Sequence, residues 1–211
     1  MSEFEALLLR SAVGAAVSLA MAPIAVGLLR LNAKRVLSRW CVVVTLVAVL
    51  AAGVVVALWS TAVVVGAAFV LLGVPTAVID VNEHRIPDRL SLPLCGLAGA
   101  AALSTVVAGN FESGVRALIG GGAWAGLMLL SYLATGQPGP GDVKLAPSVG
   151  LLLGWFGWSW ALAGVLAVYL LTAVAGIAAV WFGRCSFHGG QVPMAPSMVV
   201  VALVGGTLAQ L

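Results

Sequence analysis

The sequence predicts an all-α, polytopic integral membrane bundle of about eight transmembrane helices, and three observations predict it. Of 211 residues, 62% are hydrophobic and 8% are charged, against roughly 25% charged in an ordinary soluble domain, which is too little polar surface to clothe a water-soluble globule. Mean hydropathy is +1.16. The apolar residues also fall into runs close to the roughly 20 residues that a spanning helix needs, separated by short charged or Gly/Pro-containing breaks. Together these predict a single membrane-embedded domain, 1–211, with no room for a soluble second one.

The first span, 6–29, follows Glu3 and Glu5 rather than a basic segment, and no small-residue cleavage site comes after it. It therefore reads as a retained helix and not a removable signal peptide. Residues 41–79 form one apolar stretch of 39 residues, too long for a single helix. Trp59-Ser60-Thr61 is the expected hairpin, dividing it into spans 41–58 and 62–79. Charges at 80–89 separate the fourth span, 91–108, whose start Asp88 is placed to cap. The fifth, 115–134, carries Gly120, Gly121, Gly122 and Gly126, and the sixth, 143–157, carries Gly150 and Gly154 at small-x-x-x-small spacing. Close helix packing is the expected use of these glycines. Trp155, Trp158 and Trp160 cluster where the sixth span and the seventh, 159–182, are expected to meet the outer membrane interface, and the eighth span is 192–210.

Net charge is +3, but the basic residues are scattered between apolar runs and read as topology signals, not as a nucleic-acid surface. Alternating spans put Arg30, Lys34, Arg35, Arg39, Arg85, Arg89, Lys144 and Arg184 on one side and only Arg10 and Arg116 on the other. The first side is expected to be cytoplasmic, with both termini outside and the chain in the plasma or inner membrane. The cluster Arg30, Lys34, Arg35 and Arg39 is expected to attract anionic lipid heads of the bilayer. Cys41, Cys95 and Cys185 form no C-x-x-C pair and lie toward the reducing side, so free thiols are expected.

Seven acidic residues exist, and four of them, Asp80, Glu83, Asp88 and Asp142, fall at the cytoplasmic ends of the spans. Ionisable groups at such depth are costly and are functional suspects. Asp80 follows Thr76-Ala77-Val78-Ile79 at the last turn of span three, where the helix dipole disfavours its charge. Asp142 follows Gly139-Pro140-Gly141 and is expected to be an N-cap, where dipole and free N–H groups favour its charge, with Lys144 adding to that. Two carboxylates in opposed environments are what acid–base hydrolysis of a peptide bond requires, one activating water and one polarising the carbonyl. Each Asp alone is ordinarily a helix cap or a solvated helix end. Only the topology sets them on one face, since 62 residues separate them.

Three segments together resemble a known family. Asp80-Val81-Asn82-Glu83-His84-Arg85-Ile86-Pro87-Asp88 resembles its Asp followed by Ile/Leu-Pro-Asp/Asn. Gly139-Pro140-Gly141-Asp142-Val143-Lys144 resembles its GxGD-x-K motif, and Val192-Pro193-Met194-Ala195-Pro196 resembles the segment that opens its last helix. The family is the type IV prepilin peptidases, a group of GxGD-type intramembrane aspartic proteases. The resemblance covers about residues 60–211, a peptidase-like core holding both aspartates.

The resemblance implies that Asp80 and Asp142 are the catalytic pair, cutting a short basic leader from prepilin or pseudopilin-like membrane proteins at the cytoplasmic surface. Gly139 and Gly141 are expected to shape the backbone, Lys144 to orient or screen Asp142, and Pro87, Asp88 and Glu83 to support. Glu83 or Asp88 is placed to meet the leader's charge. Larger members carry paired cysteines and methylate the new amino terminus, whereas loop 30–40 here has no C-x-x-C. The expectation is a short, peptidase-only form whose cleavage needs no cofactor, neither zinc nor methyl donor. His84 and His188 read as loop residues, not metal ligands, because no second ligand lies at a metal spacing.

The principal alternative is an ion- or proton-coupled transporter using the same carboxylates near a broken helix. That reading calls for paired breaks in two repeated halves near mid-membrane, and no clear repeat is visible. Presenilin-like and signal-peptide-peptidase-like proteases place Tyr before the first Asp, where this chain has Ile79.

Overall fold

The structure is a computed structural model and describes residues 3–181 and 192–210. Every regular element among them is helical: α1 (Glu3–Asn32), α2 (Arg39–Ala57), α3 (Val63–Ala68), a π-helical turn (Phe69–Gly73), α4 (Val74–Glu83), α5 (Asp88–Val107), α6 (Phe111–Thr135), α7 (Pro140–Phe156), α8 (Trp158–Trp181) and α9 (Ala195–Leu208). The segments from Val63 to Glu83 form one rod. The π turn lies just ahead of Pro75, whose ring and missing N–H disrupt regular α-helical bonding. Eight rods thus stand where eight apolar spans are expected. Six are long and apolar enough to cross a membrane. The other two are shorter, with 17 residues in α7 and 14 in α9.

The short α7 is the centre of the bundle. It packs against α5, α6, α8 and α9, and Leu145, Ala146 and Ser148 through Gly154 are all buried. Its closest approach is to α6. A Cβ on Gly150 would lie 2.5 Å from the Gly120 carbonyl oxygen, and one on Gly154 would lie 2.8 Å from the Arg116 carbonyl oxygen. The expectation of close packing holds for Gly120, Gly121, Gly150 and Gly154 but not for Gly122 and Gly126, which have nothing within 4 Å. Successive helical residues are turned by about 100°, so one part of the glycine cluster faces α7 and the rest faces outward.

Two ends of the bundle are distinct. At one, the hairpin expected at Trp59-Ser60-Thr61 joins α2 to α3, and Gln210 Oε1 accepts hydrogen bonds from the Ser60 N–H at 2.6 Å and the Thr61 N–H at 3.0 Å. Arg116 lies at this end and caps α7, donating from Nε to the Gly154 carbonyl at 2.9 Å and from a terminal nitrogen to the Trp155 carbonyl at 2.8 Å. Carbonyls at a helix C-terminus otherwise lack partners and carry negative partial charge. Arg116→Met is therefore expected to cost about 1–3 kcal/mol, read as a lower unfolding temperature of the detergent-purified protein. An unchanged unfolding temperature would refute this role.

The opposite end gathers the C-terminal ends of α1 and α4 and the N-terminal ends of α2, α5, α7 and α9. Glu83 ties it together: Oε1 accepts the Lys34 N–H at 2.7 Å and the Arg35 N–H at 2.9 Å, and Oε2 accepts Arg85 Nε at 2.6 Å. Arg85 also donates to the Asn32 carbonyl. This clasp fastens the basic α1–α2 loop to the segment that follows Asp80. Cys41 and Cys95 are free thiols, while Cys185, Arg184 and His188 lie outside the described residues.

Candidate active site

Asp80 and Asp142 both line one small cavity of about 260 Å³ at this rim, together with His84, Arg85, Gln137 and Lys144. The topology that carries α4 and α7 to the same end brings the two aspartates together. Asp80 sits in the last turn of α4 and is 5% exposed. His84 then ends the helix in the left-handed conformation, φ 50°, with its N–H bonded to the Asp80 carbonyl. That reversal throws the chain into the buried pair Ile86-Pro87, from which α5 begins at Asp88.

A further element acts on Asp80 that its own helix does not supply. The Ala195 N–H, in the first turn of α9, donates to Asp80 Oδ2 at 3.1 Å. Met194 is the N-cap and Pro196 follows at the second helical position, where a missing N–H costs no intrahelical bond. The Val192–Pro196 segment thus has a physical task, presenting a helix N-terminus to a carboxylate.

Asp142 is not the N-cap. Pro140 fits the first helical position, so α7 starts earlier, with Gly139 as cap, and Asp142 becomes the third helical residue, reaching back so that Oδ2 accepts the Gly139 N–H at 3.1 Å. Gly141 packs tightly, since a Cβ there would lie 3.0 Å from Ile86 Cβ. This packs the first turn of α7 under the loop that leaves Asp80. Asp142 stands at the rim, ahead of the apolar part of α7. Burial, and then the negative charge of Asp80, push its carboxyl up to about 7, against the smaller opposing effect of the Gly139 N–H. The expectation that the helix start keeps Asp142 charged is thus overturned: desolvation and a neighbouring carboxylate outweigh one N–H bond. Its Oδ1 is buried with no hydrogen-bond partner among the described residues, leaving that oxygen for a proton or a ligand.

The supporting residues divide differently from expectation. Lys144 does not pair with Asp142, since residues two apart face different sides of a helix; its Nζ lies 2.7 Å from Asp88 Oδ1. The Glu83 side chain is 3% exposed, and both its oxygens are occupied. It fastens the α1–α2 loop to the segment after Asp80. Gln137 and Arg85, which the motifs do not single out as site residues, line the cavity, as does His84.

The titration has a direction that can be checked. A carboxyl raised from 3.8 to about 7 holds more protons in the folded state than in the unfolded state between those values. The stability this contributes is complete below about pH 4, falls as pH rises, and is gone above about pH 7. Asp142→Asn cannot ionise, so its unfolding temperature relative to wild type is expected to rise from pH 5 to pH 8.5. A gap that stays constant across that range would contradict the assignment.

The chain matches the type IV leader peptidase family over residues 67–183, more than half of its 211 residues and a range that includes both aspartates. No curated protein and no solved structure matches it significantly. Six helices long and apolar enough to cross a membrane, and a family match across the bundle's centre, lead to one conclusion: the chain belongs to the type IV leader peptidase family and is a multi-pass membrane peptidase.

Proposed function

We propose that this family member is an aspartic endopeptidase that removes the short leader from type IV prepilin-like precursors at the cytoplasmic face of the cell membrane. The observation that carries the reading is the single small cavity lined by two carboxylates, one of them brought to about 7 by burial and by the charge of the other. Such a pair shares one proton near neutrality. Asp80, held by the Ala195 N–H, is the ionised member and takes a proton from water as the water oxygen adds to the scissile carbonyl carbon. Asp142 gives its proton to the carbonyl oxygen. When the intermediate collapses and the C–N bond breaks, the proton on Asp80 passes to the leaving amine and the proton on the former carbonyl oxygen returns to Asp142.

Surroundings suited to the substrate support this reading. An apolar groove of about 990 Å³ runs between α6 and α8 and has Asp142 among its lining residues. A precursor's apolar segment laid in that groove keeps its leader at the polar rim. A second groove of similar size, between α2, α4 and α9, is lined by neither aspartate. The excess of basic residues at the aspartate rim favours a cytoplasmic orientation. The test is co-expression with a panel of prepilin-like precursors: the reading expects a mass loss equal to the leader in at least one, and uncut precursors across the panel would overturn it.

A further inference from the structure

The geometry points to Gln137 as a substrate-binding residue, whose side-chain carboxamide holds the main chain of the precursor where it passes from the apolar groove into the aspartate cavity. The inference rests on the peptidase reading above and names what grips the peptide beside the two carboxylates. Among the described residues, three line both spaces: Gln137, Asp142 and Val192. A chain that lies in the groove and reaches the aspartates therefore passes these three.

At that crossing the peptide cannot be helical, because water and a carboxylate must reach the bond to be cut, so its N–H and C=O groups need partners from the enzyme. The main chain around the cavity offers few. Pro140 and Pro193 have no N–H, the Gly139 N–H is given to Asp142, and the Ala195 N–H is given to Asp80. Among the polar side chains outside the aspartate pair, Arg85 is held by Glu83 and the Asn32 carbonyl, and Lys144 by Asp88. His84 and Gln137 are left, and His84 does not line the groove.

Gln137 is set up for this task by its neighbour. Thr135 Oγ1 accepts the Gln137 N–H at 3.2 Å and donates to the Gln137 carbonyl at 2.9 Å, which fixes the main chain at this position. The carboxamide is exposed and makes no hydrogen bond among the described residues. A primary amide carries both N–H donors and a carbonyl acceptor, so it pairs with the C=O and N–H of one extended residue. Such pairing reads no side chain, and it holds the peptide equally before and during the reaction.

The experiment uses the full chain in detergent and two prepilin-like precursors that share one unaltered leader, including its last residue, and differ in the apolar residues just after the cut. Gln137→Leu and Gln137→Ala are each expected to raise KM about tenfold, the size of one or two neutral hydrogen bonds, with kcat within twofold of wild type, as for binding made equally in ground and transition states. The rise is expected to be the same for both precursors, and the unfolding temperature to stay at the wild-type value, because Thr135 still holds the turn. KM within twofold of wild type, a rise confined to one precursor, or a rise accompanied by a lower unfolding temperature in both variants would overturn the inference while leaving the peptidase reading standing. Precursors left uncut by wild type would overturn both.

Discussion

Replacing either Asp80 or Asp142 with Asn is expected to lower leader cleavage by about 10³- to 10⁴-fold, and replacing both is expected to cost no more than replacing one. In the proposed mechanism the two act as a unit: without Asp80 no base takes the water proton, and without Asp142 no acid polarises the carbonyl, so the losses do not add. The substitutions suit the purpose because Asn keeps the shape of Asp and an acceptor oxygen. At position 80 that oxygen still accepts the Ala195 N–H, and at position 142 it still accepts the Gly139 N–H. The variants should therefore reach the membrane at wild-type levels. Additive losses in the double variant, or cleavage within tenfold of wild type in either single variant, would contradict a shared proton.

The second large effect lies away from the chemistry. Gly150→Leu is expected to destabilise the bundle by about 3 kcal/mol or more, because its Cβ would stand 2.5 Å from the Gly120 carbonyl oxygen and 2.7 Å from Trp124 Cβ. Backbone cannot rotate aside as a side chain can, so α6 and α7 must part. Small residues permit such approaches in membrane bundles, and the packing they allow drives helix association there. Because α7 carries Asp142 and rests Gly141 on Ile86, parting the helices also moves one carboxylate away from the other. The control is Gly122→Leu on α6, where nothing lies within 4 Å. Unfolding temperature and size-exclusion profile should be lost or strongly shifted in the first variant and retained in the second. Equal behaviour of the two would refute the account of the α6–α7 contact.

Much of the fold was legible in the sequence because the membrane imposes a length and a composition on each helix. The 39-residue apolar stretch had to contain a turn, and the observed loop includes Trp59-Ser60-Thr61 between α2 and α3. What sequence periodicity does not resolve is facing. A helix that is apolar nearly all round has no pattern separating Gly120, which meets α7, from Gly122, which meets nothing.

The same division runs through the site. The Gly-Pro-Gly turn announced a helix start near Asp142, and Pro140 moved that start three residues upstream of the expected cap. The local dipole assigned to Asp142 was superseded by burial plus the Asp80 charge, and the N–H that the first turn of α9 gives Asp80 comes from a residue 115 positions later in the chain. Glu83 has the composition of a substrate contact, yet two backbone N–H groups from a loop about 50 residues earlier occupy it and no local pattern encodes that.

The central claim is that Asp80 and Asp142 form one proteolytic pair. Its most direct test is the mass of co-expressed prepilin-like precursors recovered from cells carrying wild type, Asp80→Asn or Asp142→Asn at matched membrane levels. The account predicts precursors shortened by the leader with wild type and full-length precursors with both variants. Shortened precursors with both variants would contradict it.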